Sequence, residues 1–266
     1  MENATTKRTF PKRLKSMLKV DGRRMFTTPL FYILVGVSLL LPVLILVMTT
    51  MTGGAAPDAQ NTEQAAQSFE NVWQIIGTLS SSGGMAGGMD IVSMCNINML
   101  YFAAAVLVCL FVSDDFKSGY AKNLFTVRAK KTDYVASKTI ICSIGAACMF
   151  LAFFVGAVVG GAIAGLSFEM NGFNAANLVL CMLSKVALVP LFVSIFTLAS
   201  VAAKQKTWLS ICISLAAGML LFMMIPMLTP LNASIVNVLG CLIGSALFAV
   251  GLGAISNLVL KKTSLV

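Results

Sequence analysis

The sequence predicts an all-α polytopic membrane protein of six transmembrane helices, and three observations carry that prediction. Of its 266 residues 58% are apolar and only 11% charged, where soluble domains carry about 25% charged residues; mean hydropathy is +0.90. Six apolar stretches are long enough to cross a bilayer. The positive charges cluster between them: on a six-span layout, 18 of the 19 Lys/Arg fall on one side, 0 on the other, and one, Lys185, inside a span. That asymmetry puts both termini in the cytoplasm. The net charge of +9 is thereby accounted for by membrane flanks, which argues against a nucleic-acid partner. The whole chain, 1–266, reads as a single transmembrane domain.

The elements follow in order. Residues 10–27 begin as FPKRLKSMLKVDGRRMF. Leu14, Met17, Leu18, Met25 and Phe26 recur at helical spacing among Lys12, Arg13, Lys15, Lys19, Arg23 and Arg24. That is the pattern of an amphipathic helix lying in the membrane interface. Span one is 30–51; its 22 residues cover about 33 Å, enough for the hydrocarbon core, with Pro42 as a kink site. Residues 52–90 hold no Lys or Arg and four acids, Asp58, Glu63, Glu70 and Asp90. Within them Ala65, Ala66, Phe69, Val72, Trp73, Ile76 and Leu79 keep a helical period and predict a short amphipathic helix on the outer surface. Ser80 to Gly88 is a Gly/Ser return.

Span two is 91–112, span three 139–166, and span four 177–203, kinked at Pro190. Span five is 208–228; Pro226 and Pro230 predict a broken or re-entrant hairpin before span six, 235–260. The pairs Gly156/Gly160, Gly161/Gly165 and Gly240/Gly244 are spaced for close helix contact. There is no signal-peptide pattern, since the first apolar run is too long for one.

The chemistry present is sparse. There is no histidine, so the commonest general base and metal ligand is missing. The seven cysteines lie in apolar stretches, without metal-ligand spacing, and read as small buried hydrophobes. No Ser stands beside a base, and no GxxxxGK[ST] phosphate loop occurs. Every Asp and Glu lies outside the spans or at a span end, which counts against an ion-coupled carrier.

Lys185 is the one charge deep in a span and is a functional candidate on that ground. Two readings stand. It snorkels to the outer headgroups or pairs with Asp90 or Glu169; alternatively it faces a cavity between subunits and contacts an anionic or carbonyl group of a substrate. Asn96 and Asn98, at comparable depth, line the same cavity or bond to neighbouring helices. Met219, Met223, Met224 and Met227 in span five suit either varied apolar ligands or ordinary packing.

The widest charged interval is Ser113 to Lys138, with Lys117, Lys122, Arg128, Lys130, Lys131 and Lys138 opposing Asp114, Asp115 and Asp133. Phe116, Tyr120, Leu124 and Phe125 stand among these charges at helical spacing. A solvated loop explains the charges but not those four residues; aromatic anchors with a charged rim suit a protein interface. The order Asp114–Asp115, Gly119, Lys122, Arg128, Tyr134, Lys138 resembles the loop between the second and third spans of permeases in the ABC type-two exporter family. The basic interfacial helix, six spans and broken outer hairpin match that layout too. Two features depart from it: Asp stands where Glu is more usual, and the outer loop after span one is long. Within the family, the sequence is most similar to small permeases of Gram-positive bacteria that handle antimicrobial peptides and drugs, including lantibiotic-immunity systems.

The resemblance implies a bacterial plasma-membrane permease without an ATPase of its own. Two permeases, identical or paralogous, would pair with two ATPase subunits that bind the ATP and Mg. A cytoplasmic coupling helix within Asp115 to Thr126 would dock on the ATPase, engaging Asp114, Asp115, Phe116, Gly119, Tyr120, Lys122, Leu124, Phe125 and Arg128. Asn96, Asn98, Lys185, Met219 and Met223 would border a substrate cavity. No catalytic residue, metal or cofactor belongs to this chain on that reading. A channel or scaffold that needs no ATPase, and an ion-coupled secondary carrier, are the competing readings.

Overall fold

The computed structural model describes residues 10–53, 69, 71–77, 96–127, 130–170, 172–204, 206–222 and 224–262. Asp58, Glu63, Glu70, Asp90, the Ser80–Gly88 return, Arg128 and Met223 lie outside them. The described elements are helical throughout; their single β contact is an isolated bridge between Asn71 and Ser167. Helix α1 spans Phe10–Thr27 and α2 Pro29–Gly53. Short 3-10 turns at Val72–Ile75 and Ile97–Met99 precede α3, Leu100–Lys117. Then come α4 (Tyr120–Val127), α5 (Lys131–Ala164), α6 (Ala175–Ala203), α7 (Thr207–Phe222), α8 (Ile225–Leu228) and α9 (Ile235–Lys262). Five of the described helices are long and apolar enough to cross a membrane, and α7 is a shorter apolar helix. The chain is a multi-pass membrane protein.

The fifth apolar stretch is broken earlier than Pro226 and Pro230 suggest by position alone. A proline has no N–H to offer the carbonyl four residues back, and its ring crowds that carbonyl. Four residues before Pro226 is Phe222, where α7 stops; Pro226 instead occupies the first turn of α8. At about 1.5 Å per residue α7 is about 24 Å long, so the remainder of this span is a one-turn helix and a bend.

Helix α3 is the most buried span and α9 the most exposed. Helix α3 is packed among α5, α6 and α7, while α2 runs along α5 and α9 along α6. The α2–α5 seam is glycine-made. A Cβ at Gly160 would lie 2.7 Å from the Val43 Cα, and one at Gly156 would collide with the Leu39 carbonyl. Gly161 is kept bare by Val72. Gly240 and Gly244, by contrast, face open space within the described chain.

The outer amphipathic helix is corrected where it is described. Phe69, Val72, Trp73, Ile75 and Ile76 are all buried. Trp73 stacks near Phe154, and its Nε1 donates to the Phe168 carbonyl at 3.1 Å. The segment tucks into the bundle rather than lying on a membrane surface. Its apolar period has a protein partner, not lipid.

Candidate functional site

At one end of the bundle α1, α3 and α5 converge on a buried cluster of charges. On α1, Met17, Asp21, Gly22 and Met25 form one buried face. Four-residue steps from Met17 through Asp21 to Met25 carry the acid inward with the methionines. Gly22 faces Ile141 at ordinary contact distance, and a Cβ at Gly145 would press on the Met25 sulfur at 2.8 Å. The helix is therefore packed closely against α5 one turn beyond its acid.

Asp21, Asp115 and Lys138 are each 0% exposed. The Lys138 Nζ bridges the two acids, 3.0 Å from Asp21 Oδ1 and 2.7 Å from Asp115 Oδ2. Ser137 donates to Asp21 Oδ2 at 2.6 Å, Tyr134 to Asp115 Oδ2 at 3.0 Å, and Arg24 Nη1 to Asp115 Oδ1 at 2.6 Å. Every carboxylate oxygen of the two acids thus has a donor, as low-dielectric burial of charge demands. Two acids, one Lys and one Arg sum to zero charge. The Lys138 ammonium also lies 4.0 Å from the centre of the Phe111 ring, and Arg24 4.1 Å from that of Tyr120, at cation–π range. Burial works against the Arg24 charge, but the charge and hydrogen bond of Asp115 more than offset it, so the guanidinium is held above its ordinary value. Burial likewise pushes the Tyr120 hydroxyl up, and Asp21 adds to the shift. A second, half-exposed pair, Arg13 to Asp133 at 2.8 Å, ties the start of α1 to the start of α5.

The charged loop becomes a tight elbow followed by α4. Gly119 sits at φ 73° with open space around it, so it is the left-handed backbone, not crowding, that calls for glycine. Asp115, Tyr134 and Lys138 of the family-like pattern meet in the cluster, and Tyr120 joins them through Arg24. The four apolar residues do not share an outward face. Phe116 is buried with its ring 6.4 Å from that of Tyr134, and half-buried Phe125 sits 5.3 Å from the same ring. Leu124 is half-buried, while Lys122, Asn123 and Thr126 are exposed. Asp114, at 68% side-chain exposure, stays at the surface, 3.7 Å from Arg24 Nη2.

Among the described residues Lys185 pairs with no acid, Glu169 included, and Asp90 lies outside them. Its side chain is 0% exposed, enclosed within the bundle of this chain. Its Nζ donates to Asn98 Oδ1 at 2.8 Å and Thr229 Oγ1 at 2.9 Å. The Lys185 carbonyl accepts from the Tyr101 hydroxyl at 2.8 Å. The Thr229 hydroxyl in turn donates to the Ile225 carbonyl. Lys185 therefore pins the hairpin after α8 and the start of α3 onto α6. Asn96 caps the adjoining 3-10 turn through the Asn98 amide, while Met219 is half-exposed on α7. The structure joins Asn96, Asn98 and Lys185 in one buried network and leaves Met219 outward.

Asp21, Ser137 and Thr229 are absent from the residues that the sequence singles out, and Arg24 enters there only as one of the basic residues of α1. For Asp21 a signal exists: it is the lone acid in a basic helix, midway between two methionines on its buried face.

Residues 27–221 match the ABC-2 family transporter protein family. The comparisons with curated proteins and with solved structures give no match. The match covers most of the sequence, so the chain belongs to the ABC-2 transporter family. It is a membrane permease of an ABC transporter, a transport subunit that in this family normally works with an ATPase.

Proposed function

We propose that this permease is the membrane half of an ATP-driven exporter in a bacterial plasma membrane, with both termini in the cytoplasm, and that a separate ATPase subunit docks on α4. The observation that carries the reading is the construction of α4. Its outward face offers Lys122, Asn123 and Thr126, while its root is fastened by Gly119, Tyr120 and Phe125 to the buried Asp21–Lys138–Asp115 cluster. A push on α4 reaches α1, α3 and α5 together, because those three helices share one ionic knot. ATP and Mg belong to the partner. The orientation rests on the one-sided Lys/Arg distribution. The open Gly240–Gly244 face of α9 is available to a second copy or a paralogue.

The substrate class follows from charge. The loop 52–90 carries four acids and no base, a field that draws cations, and an amphipathic cationic peptide or drug taken from the outer leaflet fits it. Neutralising Asp58, Glu63, Glu70 and Asp90 together should weaken protection against such a peptide; full protection would sink this substrate class.

The docking site is tested by co-purifying the ATPase with the tagged permease. Because Lys122 and Asn123 are exposed, Lys122→Glu with Asn123→Trp should cut recovery about tenfold, the yield of two lost rim contacts, while leaving the permease's own thermal unfolding unchanged. Undiminished recovery would refute docking on this face.

A further inference from the structure

Between α1, α2 and α3 lies a half-open cavity of about 290 Å³ beside the charged cluster. Its walls include Leu30, Phe31, Leu107 and Leu110, and its mouth carries Arg24 and Asp114. We propose that this cavity holds the headgroup end of a membrane phospholipid whose headgroup pairs a phosphate with a primary amine, as in phosphatidylethanolamine.

Three features of the site select that chemistry. The first is charge. Arg24 commits Nη1 to Asp115 at 2.6 Å but stands off Asp114 by 3.7 Å with Nη2. A phosphate fits against the Nη2 edge, in the geometry guanidinium groups favour for phosphate. Asp114 is an exposed acid beside the knot, and among the described residues Arg24 is its ion-pair partner. A primary ammonium supplies the short donors its carboxylate lacks. An anionic headgroup would meet Asp114 with repulsion, and a quaternary ammonium would bring no N–H to it.

The second feature is depth. The mouth lies where the charged end of α3 and the basic helix α1 meet the first turn of α2, the level of the headgroups in a membrane whose surface α1 follows. The exposed basic residues Lys12, Lys15, Lys19 and Arg23 share that helix.

The third is continuity. A volume of this size takes a headgroup and the start of one acyl chain. The rest of the chain has a path outside, because Ile33, Val37, Leu40 and Leu44 run up the exposed face of α2 at the three- and four-residue steps of one helix side.

The occupant has a consequence for the knot. Arg24 is shared between lipid and Asp115, so the lipid sits on the residue that joins α1 to α3.

The full-length permease, reconstituted in phosphatidylcholine nanodiscs, tests this with a trace of phosphatidylethanolamine or phosphatidylglycerol bearing a photoreactive diazirine in its acyl chain. The phosphatidylethanolamine probe should label the segments 28–44 and 107–114 about tenfold more than the phosphatidylglycerol probe, the ratio one charge-assisted contact provides. Asp114→Asn, at an exposed position, should erase that preference without changing thermal unfolding. Leu110→Trp should fill the cavity and remove labelling from 107–114 while labelling on α9 persists. Equal labelling by the two probes, labelling spread evenly over the lipid faces of α2 and α9, or labelling indifferent to both variants would overturn the site.

Discussion

Two lysines are sealed inside this bundle, and they are sealed differently. Lys138 lies between two buried carboxylates, with Ser137, Tyr134 and Arg24 completing their oxygens. Lys185 is as buried, yet its ammonium donates to an amide oxygen and a hydroxyl rather than to carboxylates. The first arrangement is a charge balance; the second is a clasp. Attraction between unlike charges in low dielectric holds three helices in a knot, and removing one member orphans the others. The clasp orders the 225–234 hairpin by directed hydrogen bonds, and removing its lysine leaves only neutral groups behind.

The largest expected effect tests the knot. Lys138→Met should strand Asp21 and Asp115 together and cost about 3–5 kcal/mol, read as a steep fall in the thermal unfolding midpoint of the purified permease. Asp21→Asn should be milder, about 1–3 kcal/mol, because an amide of the same shape keeps the Ser137 contact and Asp115 still holds Lys138. Lys185→Met should lie within about 1 kcal/mol of the native chain, since shedding a desolvated ammonium offsets the bonds lost at Asn98 and Thr229. Its mark should instead appear as faster amide exchange in the 225–234 hairpin. If Lys185→Met proved as damaging as Lys138→Met, the distinction between knot and clasp would fail. If Asp21→Asn proved silent, Asp115 alone would be sufficient for the knot.

Much of this was legible where the causes are local. Residues 10–27 read as a helix and form one, because apolar and basic residues alternate with its period. The helix sought within 115–126 forms at Tyr120–Val127, displaced by the left-handed Gly119. The glycine spacing in α5 was readable as close contact, but not that Val43 and Leu39 of α2 would fill the groove. What escaped is long-range. Asp21 and Lys138 are 117 residues apart in sequence, and no periodicity announces their meeting. Lys185 was visible as a misplaced charge, but its partner Thr229 is 44 residues away on a broken hairpin. The stretch around Trp73 kept an amphipathic period that fits a membrane surface as well as a cleft between helices; only packing decides between them.

The neutrality of the Asp21–Lys138–Asp115–Arg24 knot has an electrical consequence. A group carrying net charge does work of about 2.3 kcal/mol per elementary charge when carried through 100 mV. This knot joins three helices yet carries none, so its four side chains neither draw on the membrane potential nor are held by it.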